Sequence, residues 1–204
     1  MKGVNPARLA WVFVLAMTAV CPSLAEPPSA KSATAVFAGG CFWCIEADFE
    51  KLPGVLDVES GYTGGHVPDP DYEQVSAGGT GHAEAVRVRY DPARVSYAAL
   101  LDYFWKHIDP TVEDRQFCDT GSQYRSAIFP ATDEERRAAE ASRDALIASG
   151  RFAKVLTTIE PAAAFHPAEE YHQDYYRKNP LRYAYYRRSC GRDARVAELW
   201  GTAS

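Results

Sequence analysis

The stretch TAVFAGGCFWC, residues 34–44, decides how the chain is organised. Residues 34–38 have the composition of a strand, and Gly39 and Gly40 allow a sharp turn into a helix predicted from about Cys41 to Lys51. Cys41 therefore falls in the first turn of a helix, where free main-chain N–H groups and the helix dipole favour a thiolate. Because the thiolate is the reactive form of cysteine, this position indicates a nucleophile rather than a small core residue.

The pattern on either side of this stretch predicts alternating strands and helices. Strands are predicted at 55–62, 84–90, 124–129 and 155–159. Helices are predicted after the cap Ser96, from the capping box of Thr132 and Glu135 to Gly150, and from Pro167 to a point before Pro180. Since there are no regular βαβ units, we predict an α+β two-layer sandwich with irregular loops and a long C-terminal tail.

The N-terminus has the layout of a secretory signal peptide over residues 1–25. Two basic residues precede an apolar run at 9–20, and a small-residue cleavage site follows at 23–25. The run is shorter than the ~20 residues that cross a membrane, so a retained anchor is the weaker interpretation. A Pro/Ser-rich linker at 26–33 then leads to the folded domain at 34–204, and we expect a periplasmic or secreted protein.

Charge and cysteine content narrow the classes of function. The net charge of −5 and the absence of a recurring basic stripe disfavour a nucleic-acid partner. Loss of the signal peptide would leave Cys41, Cys44, Cys118 and Cys190. Four cysteines in an exported chain favour two structural disulfides, as in a binding module. A domain of this size does not need such cross-links, so redox chemistry competes with that interpretation.

Cys41 and Cys44 also form a CxxC motif at a strand-to-helix junction. The same motif is typical of thioredoxin-like disulfide oxidoreductases, which are the alternative enzyme class. That fold begins with a regular βαβ unit and has a proline loop facing the motif, and the sequence shows neither. No metal is expected, because His166 and His172 lie too far along the chain for the usual zinc-site spacing.

Glu84 interrupts an otherwise apolar strand face. It alternates in register with Val86, Val88 and Tyr90, while Ala85 and the two arginines after it point the other way. If the valine face is the core, burial should raise the pKa of Glu84 and keep part of it protonated, as a proton donor in a cleft requires. The alternative is a strand-end glutamate that reaches solvent.

Three further polar side chains are candidates for binding a polarised oxygen atom. Asp119 and Tyr124 lie in the irregular segment CDTGSQYRS at 118–126, and Tyr72 lies in a glycine-rich loop before Glu84. Two phenols and a carboxyl group could hydrogen-bond such an oxygen. Taken alone, each tyrosine fits ordinary packing better, since the chain contains 12 of them.

Several long motifs of the chain resemble the A-type peptide methionine sulfoxide reductases. The motifs occur in the order found in that family and cover roughly residues 34–200: GGCFWC with Glu46, GYTGG (61–65), Pro70 with Tyr72, TGHAEAVRVRYDP (80–92), FCDTGSQYRSAIF (117–129), FHPAEEYHQDYY (165–176) and CGRD (190–193). The chain departs from many members at Cys44, where glycine is common, and at Cys118. It also ends soon after CGRD, without the glycine-rich tail with two cysteines that some members have.

The resemblance implies a ferredoxin-like fold and reduction of the S-epimer of methionine sulfoxide, free or in proteins, and hence repair of oxidised proteins. It implies Cys41 as the nucleophile and Glu84 as an acid near the sulfoxide oxygen. It also implies an apolar wall of Phe42 and Trp43 around the substrate methyl group. Tyr72, Asp119 and Tyr124 would hold the oxygen.

The remaining steps require a second thiol and an external reductant. Cys41 would become a sulfenic acid, which a second cysteine converts to a disulfide. We predict that Cys190 is this resolving cysteine, because its tail should be mobile, with Cys118 as the stronger competitor or relay and Cys44 behind it. The expected electron donor is an external dithiol such as a thioredoxin-like protein, no bound cofactor is expected, and the chain is expected to be a monomer.

Overall fold

The computed structural model describes residues 32–201 together with Met1 and Gly3. Apart from those few residues, the predicted signal peptide and linker lie outside the described residues. The strands are β1 (Ala33–Gly39), β2 (Val55–Thr63), β3 (Ala83–Tyr90), β4 (Arg115–Gln116), β5 (Asp119–Thr120), β6 (Ser126–Phe129), β7 (Thr158–Ile159) and β8 (His166–Pro167). The α-helices are α1 (Phe42–Phe49), α2 (Tyr72–Ala77), α3 (Tyr97–Trp105), α4 (Asp133–Ala148), α5 (Tyr175–Lys178), α6 (Pro180–Ser189) and α7 (Arg192–Trp200).

Within residues 32–201 the main sheet has six strands in the order β7-β6-β1-β3-β2-β8. The three pairs within the central series β6-β1-β3-β2 are antiparallel, whereas the outer strand β7 is parallel to β6. Helix α1 connects β1 to β2, and α3 lies between β3 and β6 in sequence. This is the ferredoxin-like arrangement that the resemblance implied, and the α+β prediction is confirmed. A separate hairpin of β4 and β5 carries the segment before Tyr124.

The two faces of β3 follow the alternation of its sequence. Val86, Val88 and Tyr90 pack in the main core with residues of α1 and α3, whereas Ala83 and Ala85 pack in a smaller cluster on the opposite face. Glu84 shares the face of the valines, as the period of two predicts, and only 3% of its surface is exposed. The strand therefore places a carboxyl group at the end of an apolar row.

Two predicted elements are wrong. No helix begins at Pro167, because His166 and Pro167 pair with β2 as strand β8 and the N–H of Ala168 donates to the carbonyl of Ser60. A proline suits this edge position because it has no N–H to pair. Tyr72 is the first residue of helix α2 rather than part of a loop, since Asp71 caps the helix by accepting the N–H of Gln74.

The C-terminal tail is also more ordered than the sequence predicted. It consists of helices α6 and α7, joined at Cys190 and Gly191. Arg192, the first residue of α7, is 2% exposed, and Trp200 at its end donates from Nε1 to the carbonyl of Ile108. The segment around Cys190 is therefore packed on the domain, because a buried cation and an anchored indole hold α7 in place.

Candidate active site

Cys41 lies at the point where strand β1 turns into helix α1. Gly40 has φ 82°, and a Cβ atom there would lie 2.5 Å from the Cβ of Gln116, so the turn requires glycine. Cys41 is the N-cap of α1 rather than a residue of its first turn, and the residue is 6% exposed. The residue still lies at the helix end where unpaired N–H groups favour negative charge.

A cavity of about 80 Å³ opens beside this thiol. It is lined by Cys41, Phe42, Trp43, Tyr72, Glu84, Asp119, Tyr124 and Tyr186. Seven of these eight residues were candidates from the sequence, and they come from segments far apart in the chain. The other three candidate cysteines, Cys44, Cys118 and Cys190, are not among the residues that line this cavity.

Glu84 is bound to the start of helix α1. Its Oε2 accepts the main-chain N–H of Phe42 at 2.9 Å. Burial raises the pKa of Glu84 to about 8, while this hydrogen bond opposes the shift and the carboxyl group of Asp119 adds to it. At neutral pH the side chain is mostly a carboxylic acid. Since Oε2 accepts a hydrogen bond, Oε1 carries the proton that can be donated into the cavity.

The phenols of the cavity remain protonated over the same pH range. Burial, with the nearby charges of Glu84 and Cys41, raises the pKa of Tyr72 to about 12. Burial likewise raises the pKa of Tyr124 and Tyr186. Tyr186 donates from its hydroxyl to Oδ2 of Asp119 at 2.6 Å. The cavity therefore has several hydrogen-bond donors at the side where an oxygen atom would lie.

The apolar wall of the cavity is held in a fixed orientation. The indole of Trp43 stacks on Tyr175 with ring centroids 3.7 Å apart and an angle of 6° between the rings. Its Nε1 donates to Nδ1 of His172 at 3.0 Å. Burial lowers the pKa of His172, so the imidazole is neutral and Nδ1 can act as the acceptor. The indole of Trp43 is thereby held by stacking on one face and by a hydrogen bond at its edge.

Cys41 and Cys44 are both reduced and buried. Burial raises the pKa of Cys41 well above its ordinary value, and the neighbouring thiol of Cys44 raises it further. The prediction that the helix end favours a thiolate at Cys41 is therefore wrong for the resting protein, because burial outweighs the helix end. A hydrogen bond from Cys41 lowers the pKa of Cys44 to about 7, and the positive charges of Arg192 and Arg187 contribute to this. The negative charge that the pair can carry is therefore stabilised on Cys44 by these two guanidinium groups.

Cys118 and Cys190 form a disulfide with Cα atoms 5.0 Å apart. Cys118 lies at the tip of the β4–β5 hairpin, next to Asp119 of the cavity. Cys190 lies between α6 and α7, four residues after Tyr186. The two cysteines that the sequence offered as resolver and relay are thus paired with each other, while Cys41 stays free. The alternative interpretation, two structural disulfides, does not hold because Cys41 and Cys44 are free.

Arg192 links the C-terminal helices to the turn that carries Cys41. Its guanidinium donates to the carbonyl of Gly39 at 3.3 Å and to the carbonyl of His107 at 2.9 Å. It also lies over the ring of Phe117 and 3.7 Å from the buried carboxylate of Asp48. Arg192, which follows Cys190 by two residues, thus contacts both the turn that carries Cys41 and the tip of the β4–β5 hairpin.

Sequence reasoning missed Tyr186, Arg192 and His172. Tyr186 stands in a run with five other tyrosines at 171–186, where the sequence pattern favours ordinary packing over a role in a site. Arg192 belongs to the CGRD motif, but nothing in its local pattern indicates burial. His172 was considered only as a zinc ligand. The position of His172 and Arg192 inside the motifs that carry the resemblance is the signal that could identify these two, whereas Tyr186 lies between the motifs at 165–176 and 190–193.

In the described part of the chain, two groups of side chains bring potential metal-ligand atoms close together. In the first, Cys118, Asp119 and Cys190, both sulfurs belong to the disulfide. In the second, Glu46 accepts from Ser60 and from the N–H of Asp174, and Glu50 pairs with Arg177. These carboxylates already have protein partners. Among residues 32–201, no helix has both the length and the apolar character needed to cross a bilayer.

The fold and the cavity define a thiol-dependent oxidoreductase: a buried thiol, a protonated carboxyl group and an apolar wall share one small space beside a second pair of cysteines. The profile of the family described as peptide methionine sulfoxide reductase matches residues 33–204. The chain belongs to this family. The alternative of a thioredoxin-like disulfide oxidoreductase is therefore wrong.

Individual relatives are similar over nearly their whole length. The chain is 49% identical to the peptide methionine sulfoxide reductase MsrA 2 of Caulobacter vibrioides over 197 residues, 95% of this chain and 98% of the relative. It is 50% identical to the peptide methionine sulfoxide reductase MsrA of Limosilactobacillus reuteri, over 82% of this chain and 96% of the relative.

Solved structures agree with the fold. The methionine sulfoxide reductase A of Corynebacterium diphtheriae superposes with a TM-score of 0.66 at 35% identity, over 76% of this chain and 78% of that chain. The reduced form of Mxr1 from Saccharomyces cerevisiae gives 0.68 at 34% identity, over 78% of this chain and 91% of that chain.

Proposed function

We propose that the protein reduces the S-epimer of methionine sulfoxide, in proteins and as the free amino acid, with Cys41 as the nucleophile. The observation that carries the proposal is the cavity in which Cys41 and Glu84 meet beside Phe42 and Trp43. Attack on a sulfoxide sulfur is slow unless its oxygen gains a proton. A carboxyl group with its pKa raised to about 8 is the donor that such a step needs.

In the first step the sulfur of Cys41 attacks the sulfoxide sulfur and its thiol proton passes to solvent, while Glu84 gives its proton to the oxygen. The hydroxyl then leaves the substrate sulfur and bonds to the sulfur of Cys41, while the bond between the two sulfurs breaks with its electron pair on methionine. Methionine leaves, and Cys41 becomes a sulfenic acid. Tyr72, Asp119 and Tyr124 bind the oxygen as charge develops on it, and Tyr186 holds the Asp119 carboxyl group in position. Phe42 and Trp43 enclose the substrate methyl group and exclude water.

In the second step Cys190 attacks the sulfenic acid and releases water, forming a Cys41–Cys190 disulfide. Cys118 then attacks Cys190, so that Cys41 leaves as a thiol and the Cys118–Cys190 disulfide remains. The structure supports this order because it contains that disulfide together with a free Cys41. Cys44 is the competing resolver, since it lies on the same helix beside Cys41. An external dithiol protein of the thioredoxin type would then reduce the disulfide.

The experiment that tests the proposal uses each resolved epimer of methionine sulfoxide with a small dithiol as the reductant. We expect methionine from the S-epimer only. Without reductant, the reduced protein should form about two equivalents of methionine, because a free Cys41 coexists with the first disulfide. Product from the R-epimer at a similar rate would contradict the assignment.

We also propose that the protein acts outside the cytoplasm as a monomer, on oxidised proteins of the periplasm or the exterior. The layout of residues 1–25 supports export. N-terminal sequencing of the protein from the exported fraction should give a mature chain that begins near Glu26. Recovery from the cytosol with Met1 intact would contradict export. Sedimentation of the purified protein tests the monomer.

A further inference from the structure

We infer that the external dithiol attacks Cys118, not Cys190, and that Cys190 is the leaving thiolate. The inference rests on the proposed function, which leaves the Cys118–Cys190 disulfide as the form that must be reduced. The two sulfurs of this bond differ in three respects: their access, the groups that would stabilise a charge on them, and the groups that would oppose one. Exchange rates depend on which sulfur is attacked and on the pKa of the leaving thiol.

Access favours Cys118. Its side chain is exposed, whereas Cys190 is partly buried. Cys118 is also at the tip of a hairpin with only two residues between its strands, Phe117 and Cys118. A convex tip can enter the surface of a protein partner, so the reactive thiol of a folded donor can reach Cys118 without a rearrangement of α6 and α7.

Charge stabilisation favours Cys190 as the leaving group. The main-chain N–H of Cys118 donates to Sγ of Cys190 at 3.2 Å. A thiolate released at Cys190 would keep this donor, and hydrogen bonds to a charged acceptor are stronger than those to a neutral one. The leaving sulfur therefore has a stabilising partner already in position before the bond breaks.

A nearby carboxyl group opposes the alternative reaction, in which the donor attacks Cys190 and Cys118 is the leaving thiolate. Sγ of Cys118 lies 3.7 Å from Oδ1 of Asp119. Attack on Cys190 would release a thiolate at Cys118, next to this acceptor oxygen, and like charges disfavour the ionised form. One observation points the other way, since Cys190 and not Cys118 lines a neighbouring cavity of about 350 Å³. For a donor that is itself a folded protein, the better stabilisation of Cys190 than of Cys118 as the leaving thiolate decides for attack on Cys118.

The step balances as a two-electron exchange. The donor thiolate forms a bond to Sγ of Cys118, and the Cys118–Cys190 bond breaks with its electron pair on Cys190. The second donor thiol, as thiolate, then attacks the donor sulfur of this mixed disulfide and releases Cys118. The donor leaves as a disulfide, both cysteines of the enzyme are reduced, and solvent supplies their protons.

The test traps the mixed disulfide on the wild-type protein. The oxidised protein is mixed with a thioredoxin whose second active-site cysteine is replaced by serine, quenched in acid, alkylated and digested with trypsin without reductant. Cys118 falls in the tryptic peptide 116–125 and Cys190 in the peptide 189–192, so mass spectrometry distinguishes them. We expect the thioredoxin on the peptide of Cys118 in at least ~10-fold excess. The same trapping on Asp119→Asn should lower this excess, because the opposing carboxylate is removed.

Thioredoxin mainly on the peptide of Cys190, comparable amounts on both peptides, or no mixed disulfide at all would overturn the inference. Reaction of the same thioredoxin variant with a small aromatic disulfide shows that its thiol is active. Methionine formation from the S-epimer with a small dithiol is measured in parallel. Its failure would contradict the proposed function, whereas normal turnover with the thioredoxin on Cys190 would contradict the inference alone.

Discussion

The main-chain N–H of Phe42 and the carboxyl group of Glu84 are joined by a buried hydrogen bond of 2.9 Å. The donor is the residue directly after Cys41, the proposed nucleophile, and the acceptor is the proposed acid. The bond therefore sets the acid at a fixed place relative to Cys41. It also leaves the other carboxyl oxygen to carry the proton, because the bonded oxygen is an acceptor.

Glu84→Gln should slow methionine formation in a single turnover by about 10²–10⁴, the usual contribution of a general acid. Glutamine keeps an oxygen for the N–H of Phe42 but has no acidic proton. The wild-type rate should fall above about pH 8, where Glu84 loses its proton, while the variant should lack this fall. A variant within a factor of about three of wild type at every pH would remove Glu84 from the proposed chemistry.

The same substitution should change stability in a pH-dependent way. The folded pKa of Glu84 is raised from 4.5 to about 8, so the folded state holds a proton that the unfolded state has lost between these values. Wild-type stability therefore falls as pH rises through this window. Glu84→Gln should become more stable than wild type by roughly 1–4 kcal/mol at pH 8, with little difference at pH 4.5. Urea denaturation at both pH values measures the unfolding free energies of the variant and of wild type. An equal difference between the two proteins at the two pH values would refute the prediction.

Cys41→Ser should form no methionine, because a hydroxyl is a far poorer nucleophile towards sulfur, and its thermal midpoint should stay close to that of wild type. The matched control is Cys44→Ser, since Cys44 does not line the cavity and the first equivalent of methionine should still form. Rapid quenching and chromatography give both yields. Substantial product from the Cys41 variant would mean that another thiol attacks the substrate.

Cys190→Ser should stop after one equivalent of methionine and leave a Cys41 sulfenic acid that dimedone traps. Cys118→Ser, the matched variant, should instead accumulate a Cys41–Cys190 disulfide, because the relay thiol is absent. Peptide mapping without reductant distinguishes these products. If Cys190→Ser forms a Cys41 disulfide at the wild-type rate, Cys190 does not resolve the sulfenic acid, and the peptide linked to Cys41 identifies the residue that does.

Gly40→Ala should destabilise the fold and slow the reaction. The residue has φ 82°, and its new Cβ would lie 2.5 Å from the Cβ of Gln116. Left-handed strain costs about 1–2 kcal/mol and overpacking about 1–3 kcal/mol more. Gly150→Ala is the control, since it has φ 67° but no atom within 4 Å of the added carbon, so only the strain should appear. Equal losses of unfolding free energy in the two variants would refute the packing contribution.

The sequence predicted the fold where local pattern and tertiary packing agree. The alternation of β3 placed Glu84 on the core face, and Ser96 and Thr132 cap helices α3 and α4 as expected. It failed at Pro167, where pairing with a distant strand overrides the local preference for a helix start. It also failed in the tail, because the burial of Arg192 depends on carbonyl groups contributed by Gly39 and His107, far away in the chain.

The site was predictable as a set of residues but not as an arrangement. The motifs named seven of the eight residues that line the cavity. They did not show that Cys118 and Cys190 pair with each other, since four cysteines allow three pairings and spacing does not choose among them. Tyr186 was hidden because packing and function use the same residue type in one Tyr-rich run.

The contacts of Arg192 limit how far apart Cys41 and Cys190 can lie before the proposed resolving step. The guanidinium binds the carbonyl of Gly39, two residues before Cys41, and belongs to the second residue after Cys190. Each extended residue spans at most ~3.6 Å, so neither cysteine can move far from this shared anchor. In the proposed step the two sulfurs would thus meet at a high effective molarity, although 149 positions separate them in the chain (190 − 41). Release of the Arg192 contacts would dilute the resolving thiol and prolong the life of the sulfenic acid.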